Sequence, residues 1–157
     1  MKRLLCAGSG AIYQICKSFR SEEAGRFHNP EFTMLEWYRP GFDHLQLMTE
    51  IDELIRTVVG CGTAERVTYQ DVFKQYLGYC PLTAHLPDIK HLASQYGYAE
   101  LAANENNKDT LLMLLFSQHI EPNIGQDRPC FVMNFPSSQA ALARISPTDP
   151  LVAERFE

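Results

Sequence analysis

Two short segments of alternating character, separated by a loop that ends in Asn-Pro, constrain this chain more than any other feature. Residues 11–19 (Ala-Ile-Tyr-Gln-Ile-Cys-Lys-Ser-Phe) and 31–39 (Glu-Phe-Thr-Met-Leu-Glu-Trp-Tyr-Arg) are rich in β-branched and aromatic residues, the composition of strands. Residues 21–30 read as a loop closed by the Asn29-Pro30 turn signal. The two strands are expected to pair as a hairpin around a loop of about ten residues, which is long for a hairpin and typical of loops that carry a function. Side chains two apart on a strand share a face. Gln14, Cys16, Ser18 and Arg20 therefore share one face of the first strand, with Tyr13, Ile15 and Phe19 on the other. On the second strand Phe32, Met34, Glu36 and Tyr38 share one face, and Thr33, Leu35, Trp37 and Arg39 the other. If the polar faces align, Arg20, Phe32, Glu36 and Tyr38 line one surface, and the opposite surface is expected to pack its apolar groups on helices.

Such a surface has a definite chemistry. Arginine grips a phosphate or a carboxylate through two parallel hydrogen bonds. Phe32 offers a ring for a purine, Glu36 a carboxylate for an ammonium, and Tyr38 a hydroxyl for an amine. Arg26 and His28 lie in the loop, where they could fold over a triphosphate. Each residue also has a plainer reading. Arg20 with Glu22 or Glu36, taken alone, reads first as a surface ion pair, worth little. Taken alone, Phe32 and Tyr38 read first as core residues, His28 as a solvated loop histidine and Asn29-Pro30 as a turn. Periodicity alone leaves an α+β domain with an unusually polar hairpin face.

The rest of the chain is largely helical in pattern. Asp43 with Gln46 forms a capping box before a stripe of Leu47, Met48, Ile51, Leu54, Ile55 and Val58, ended by Gly60 and Gly62. Thr68 is placed to cap a short helix running to Tyr76. Leu86–Tyr96, with Pro87 in its first turn, and the apolar segment Asp109–His119 predict two more helices. Pro129–Phe135 and Leu151–Glu157 read as strands. The net charge of -5 argues against a surface built to hold polyanions. The five cysteines, Cys6, Cys16, Cys61, Cys80 and Cys130, lack zinc or redox spacing, so reduced thiols and a cytoplasmic location are expected. No stretch approaches the ~20 apolar residues of a membrane span. The apolar run after Lys2-Arg3 is cut short by Gly8-Ser9-Gly10, too soon for a secretion signal.

The run Phe19-Arg20-Ser21-Glu22, a loop, and then His28-Asn29-Pro30-Glu31-Phe32-Thr33-Met34-Leu35-Glu36 resembles motif 2 of class II aminoacyl-tRNA synthetases, in the form used by the lysyl subgroup. Glu22–His28, Glu36-Trp37-Tyr38-Arg39-Pro40, Glu121-Pro122-Asn123-Ile124-Gly125 and Phe135–Ala143 resemble the short member of that subgroup that lysylates elongation factor P. The resemblance runs the length of the chain. It implies an α+β fold, an antiparallel class II sheet with flanking helices. It divides the chain into a motif 2 hairpin at about 11–39, a helical insertion at about 43–120 and core strands at about 129–157. It implies ATP and Mg2+ as cofactors and two steps: adenylation of lysine or β-lysine, then transfer to a lysine side chain of elongation factor P. By the same resemblance Arg20 is the catalytic residue, holding the α-phosphate of ATP and the amino-acid carboxylate. Glu22, His28 and Asn29 position the nucleotide, and Phe32 stacks on its adenine. Glu36 takes the amino group of the substrate, Tyr38 approaches its side-chain amine, and Glu157 is the magnesium ligand.

The motif 1 dimer segment of the family is expected before Met1. A second metal glutamate, an Asn-Gly-Phe-x-Glu segment and motif 3 are expected after Glu157, and the complete protein is expected to be a homodimer. Two other readings stay open: a fragment of a lysyl-tRNA synthetase charging tRNA-Lys, and a truncated, non-catalytic interaction protein. Because adenylation needs both halves of the charge clamp, these 157 residues alone should catalyse no pyrophosphate exchange with lysine or β-lysine. Robust exchange would refute that expectation.

Overall fold

A computed structural model describes residues 1–21, 25 and 28–157. The chain divides into two compact units, Met1–Leu47 and Met48–Glu157.

In the first unit a short helix, α1 (Lys2–Cys6), precedes β1 (Ile12–Phe19) and β2 (Glu31–Tyr38). The strands pair antiparallel, from Ile12 opposite Tyr38 to Phe19 opposite Glu31. The Arg20 N–H donates to the Pro30 carbonyl at 2.9 Å, which carries the pairing one residue further. This register puts the even-numbered residues of both strands on one face, and that face is half-buried. The sequence predicts that the other face packs on helices. Tyr13, Ile15, Phe19 and Leu35 are exposed, Tyr13 at 75% and Phe19 at 72%. The hydrophobic side of the hairpin is thus the open one, crossed by an exposed Lys17–Glu31 ion pair at 3.1 Å.

Helix α2 (His44–Val59) starts from the expected capping box. Asp43 N–H donates to Gln46 Oε1 at 2.9 Å, and Gln46 N–H donates to Asp43 Oδ1 at 2.8 Å. Its apolar stripe is only partly used. Met48 is fully buried, but Leu54 and Val58 are exposed. A residue outside the stripe, Asp52, is buried instead and accepts from the Ala64 N–H at 2.7 Å. A short carboxylate here does what apolar periodicity cannot signal: it satisfies a backbone donor past the end of the helix.

The second unit continues with β3 (Glu65–Thr68), α3 (Tyr69–Leu77), α4 (Leu86–Gln95), α5 (Ala99–Asn104), α6 (Lys108–Leu115), β4 (Cys130–Pro136) and β5 (Val152–Phe156). Its sheet has the order β3-β4-β5, with β3 parallel and β5 antiparallel to β4. The fold is α+β, as expected, but the sheet is mixed rather than purely antiparallel. A parallel neighbour needs a long crossover, and the helices α3 to α6 supply it. Thr68 caps α3, its side chain accepting from the Asp71 N–H, and Pro87 sits in the first turn of α4. The expected helix to His119 stops at Leu115 and passes into a wider π-turn, Phe116–Ile120, a local geometry often kept at functional positions. The core gathers around Tyr69 and Phe73 on α3, Ile89 and Leu92 on α4, Leu111, Leu112 and Leu115 on α6, and Phe135 on β4. The pairing of β4 with β5 shifts register between Met133 and Phe135, where Asn134 adopts φ 61°.

The five thiols are free but not equivalent. Burial works to raise the Cys80 thiol, yet the hydroxyl and N–H of Thr83, the Leu82 N–H and Lys74 outweigh it and bring the thiol below its ordinary value. Burial, with help from Glu65, pushes Cys130 up. Near neutral pH, iodoacetamide should therefore alkylate Cys80 before Cys130, as read by peptide mass spectrometry. For stability, Phe73→Ala should cost about 3–5 kcal/mol, and Asp52→Ala about 1–3 kcal/mol through the stranded Ala64 N–H. Both losses are measurable by urea unfolding.

Candidate functional site

The half-buried face of the hairpin collects most of the residues singled out in the sequence. Antiparallel pairing sets Ser18 against Phe32, Cys16 against Met34, Gln14 against Glu36 and Ile12 against Tyr38. At one end the guanidinium carbon of Arg20 stands 5.4 Å from the centre of the Phe32 ring, within cation–π range. Further along, Gln14 Nε2 donates to Glu36 Oε2 at 2.9 Å. Phe32 and Glu36 are four residues apart on an extended strand, a separation of about 13 Å, with Met34 between them. Tyr38 follows on the same face. The face thus offers a cationic and aromatic end and an anionic end, joined by a short apolar floor. Phe32 and Glu36 lie on one face of the hairpin, and Arg20 reaches the Phe32 ring at its end.

The loop residues stand differently. Glu22 and Arg26 lie outside the described residues. Gly25 and His28 form an isolated two-residue bridge, the N–H of each donating to the carbonyl of the other at 3.1 and 3.3 Å. His28 and Asn29 are exposed. Gln14 is a functional candidate whose role sequence reasoning did not assign. Its place on the polar face was the signal available in the sequence; the strand register sets it opposite Glu36, where a neutral amide orients the carboxylate without cancelling its charge. Just past β2, the Arg39 guanidinium carbon lies 4.5 Å from the centre of the Phe42 ring.

Glu157 belongs to the second unit, at the end of β5. Its backbone pairs with Val132 in both directions at 2.9 Å, and its carboxylate accepts from Arg155 Nη2. No group of three His, Cys, Asp or Glu side chains that could hold a metal occurs among the described residues. Magnesium prefers several oxygen ligands in octahedral array. One carboxylate already paired with a guanidinium does not build that site, so the described residues do not fit a resident magnesium ion by themselves. Among the described residues, no helix is long and apolar enough to cross a membrane.

Comparison with known proteins gives the family. A family model for tRNA synthetases class II (D, K and N) matches residues 1–157, and the chain belongs to that family. Within it, the chain is 62% identical over its whole length to the elongation factor P--(R)-beta-lysine ligase of Photobacterium profundum, covering 49% of that protein. It is 59% identical to the protein of the same name from Vibrio vulnificus, again over all of this chain and 49% of the relative. With the relative from Pseudoalteromonas translucida the figures are 60% identity and 48% coverage. The chain therefore spans about half the length of the curated relatives it matches.

The assignment of Gln14 has a direct check. Gln14→Leu should leave the hairpin folded but remove the donor to Glu36, so that the Glu36 carboxyl carbon resonance in labelled protein moves. An unchanged resonance would count against the contact.

Proposed function

We propose that the chain carries the ATP- and amino-acid-binding hairpin of a ligase that activates lysine or β-lysine as an adenylate and passes the acyl group to a lysine side chain of elongation factor P. The observation that carries this reading is the single face on which Arg20 meets Phe32 while Gln14 holds Glu36. Membership of the class II family and the names of the relatives at about 60% identity support it. They also favour a protein acceptor over tRNA.

In this reading the Arg20 guanidinium binds the α-phosphate and the substrate carboxylate together, bringing the attacking oxygen to phosphorus. The carboxylate oxygen forms a bond to the α-phosphorus as the bond to the pyrophosphate oxygen breaks. Positioning and charge neutralisation supply most of the catalysis in such transfers. Phe32 stacks on the adenine, and Arg20, already against that ring, forms the corner between base and phosphate. Glu36, oriented by Gln14, takes the substrate amino group, and Tyr38 presents its hydroxyl to the side-chain amine. His28 and Asn29 position the nucleotide, and Glu22, outside the described residues, is given the same role by the resemblance alone. In the second step the acceptor amine attacks the acyl carbon, AMP departs, and an amide remains once the amine has lost its proton.

Equilibrium binding tests the hairpin. Arg20→Ala should weaken ATP by roughly 10–100-fold, the loss of a charge-assisted pair of about 1.5–3 kcal/mol. Glu36→Gln should weaken lysine or β-lysine while leaving ATP unchanged. Wild-type affinity for ATP in both Arg20→Ala and Phe32→Ala would overturn the reading. Incubating the gene product that contains these residues with ATP, labelled amino acid and either elongation factor P or tRNA-Lys identifies the acceptor. Label appearing on tRNA alone would replace the protein acceptor.

A further inference from the structure

The second unit contains a cavity of about 560 Å³ between α3, α6, the π-turn and the β4–β5 sheet, within the roughly 300–1,000 Å³ range of small-ligand pockets. Its apolar wall is the aromatic cluster: the Tyr69 ring stacks on Phe116 with centres 5.4 Å apart and meets Phe135 at 4.8 Å. Its polar wall holds Asp109, Glu121, Glu157 and Arg155. Arg155 is already engaged. It donates to the Gln139 carbonyl and to Glu157, and its guanidinium carbon lies 4.7 Å from the centre of the Phe135 ring. Asp109 is held in place by Ser138 Oγ and Gln139 Nε2, which donate to it at 2.9 and 3.0 Å. Both bonds fall on Oδ1, so Oδ2 is left for something else. Three carboxylates against one committed guanidinium leave an excess of two negative charges around an aromatic-walled space.

The Tyr69 hydroxyl points to a ligand independently of that charge. Tyr69 is 1% exposed, and its hydroxyl has no hydrogen-bond partner among the described residues. Burial pushes its phenol well above the ordinary range; the neighbouring Gln139 amide opposes the shift, and Asp109 adds to it. That amide donates to Asp109 rather than completing a bond with the hydroxyl. The hydroxyl is therefore a neutral, desolvated group. Stranding such a group costs about 1–3 kcal/mol, and an incoming donor would relieve that cost. Ala141, on the cavity rim, adopts φ 51°, a conformation that non-glycine residues hold at a cost and mostly near functional sites.

We infer that this cavity is a binding site for the primary ammonium of a lysine-type side chain, with Asp109 and the Tyr69 oxygen accepting its N–H groups and Phe116 and Tyr69 covering its methylenes. An ammonium carries three donors and no acceptor, which suits a wall of carboxylates and one unused hydroxyl oxygen. A four-carbon stem lies readily along aromatic faces. A phosphate or carboxylate ligand would meet net repulsion here. The site consists wholly of residues of the second unit, so it is an addition to the amine-binding role given to Glu36 and stands or falls separately from it.

Two methionines make the test local. Met113 lines the cavity, whereas Met34 lies on the functional face of the hairpin. With methyl-13C-methionine protein, titration with Nα-acetyl-lysine N-methylamide should shift Met113 saturably. The Nε-acetylated analogue, which lacks the charge, should leave it in place. Free lysine is run in parallel; a shift of Met113 by free lysine but not by the blocked lysine would overturn recognition of the side chain alone. Tyr69→Phe should weaken the Met113 response at least 5-fold while melting at the same or a higher temperature, because it removes an unsatisfied buried hydroxyl. A merely structural Tyr69 would leave the response untouched. Asp109→Asn should weaken it further; should that variant fail to fold, Tyr69→Phe decides. A silent Met113, or equal shifts with the neutral analogue, would overturn the inference. Silence of Met34 with ATP and lysine would count against the proposed function instead.

Discussion

The pairing of Gln14 with Glu36 sets everything that the hairpin can do. Strand side chains alternate, so a slip of one residue would move the whole even-numbered set to the opposite face. In the observed register that set contains the arginine, the aromatic ring and the carboxylate at once. The amide–carboxylate hydrogen bond couples the register to the chemistry, because the contact that aligns the strands also orients the anionic end of the face. Arg20, one residue past β1, is kept on the face by the bond from its N–H to Pro30.

A different constraint governs the second unit. Tyr69 begins α3 directly after its Thr68 cap, which plants a phenol inside an otherwise apolar cluster. Its ring contributes to the core through contacts with Phe73, Phe116 and Phe135, while its hydroxyl lacks, among the described residues, the partner that buried polar groups nearly always have. Around it the backbone departs from regularity three times: the π-turn at Phe116–Ile120, the register shift at Asn134, and the left-handed Ala141. Natural sequences are locally consistent except where function requires otherwise. The concentration of these departures around one cavity marks the place where core packing yields to something else.

Much of the architecture was readable beforehand, for reasons that differ by element. Both hairpin strands, the capping box at Asp43 and Gln46, the Thr68 cap and the Pro87 helix start rest on interactions within a few residues, and the sequence displays those directly. Short β3 and α5 lack a periodic pattern long enough to announce themselves. The parallel pairing of β3 with β4 sets Glu65 against Cys130, two residues too distant in the chain for any local pattern to join. The stripe on α2 misled because periodicity records which residues could be buried, and Leu54 and Val58 meet no cover while Asp52 meets a backbone donor. The exposed apolar face of the hairpin is the same lesson in a sheet.

The sequence by itself determined the candidate chemistry of the hairpin: alternation assigned Arg20, Phe32, Glu36 and Tyr38 to common faces, and the motif they sit in identified the family. Only the tertiary structure decided that those two faces coincide, that Gln14 is the partner of Glu36, and that the Glu157 carboxylate accepts from Arg155. It also assembled the cavity around Tyr69 from α3, α6 and the β4–β5 sheet. The division follows from range. Side-chain direction along one strand is a property of consecutive residues, whereas register, burial and the meeting of distant carboxylates depend on how separate segments pack.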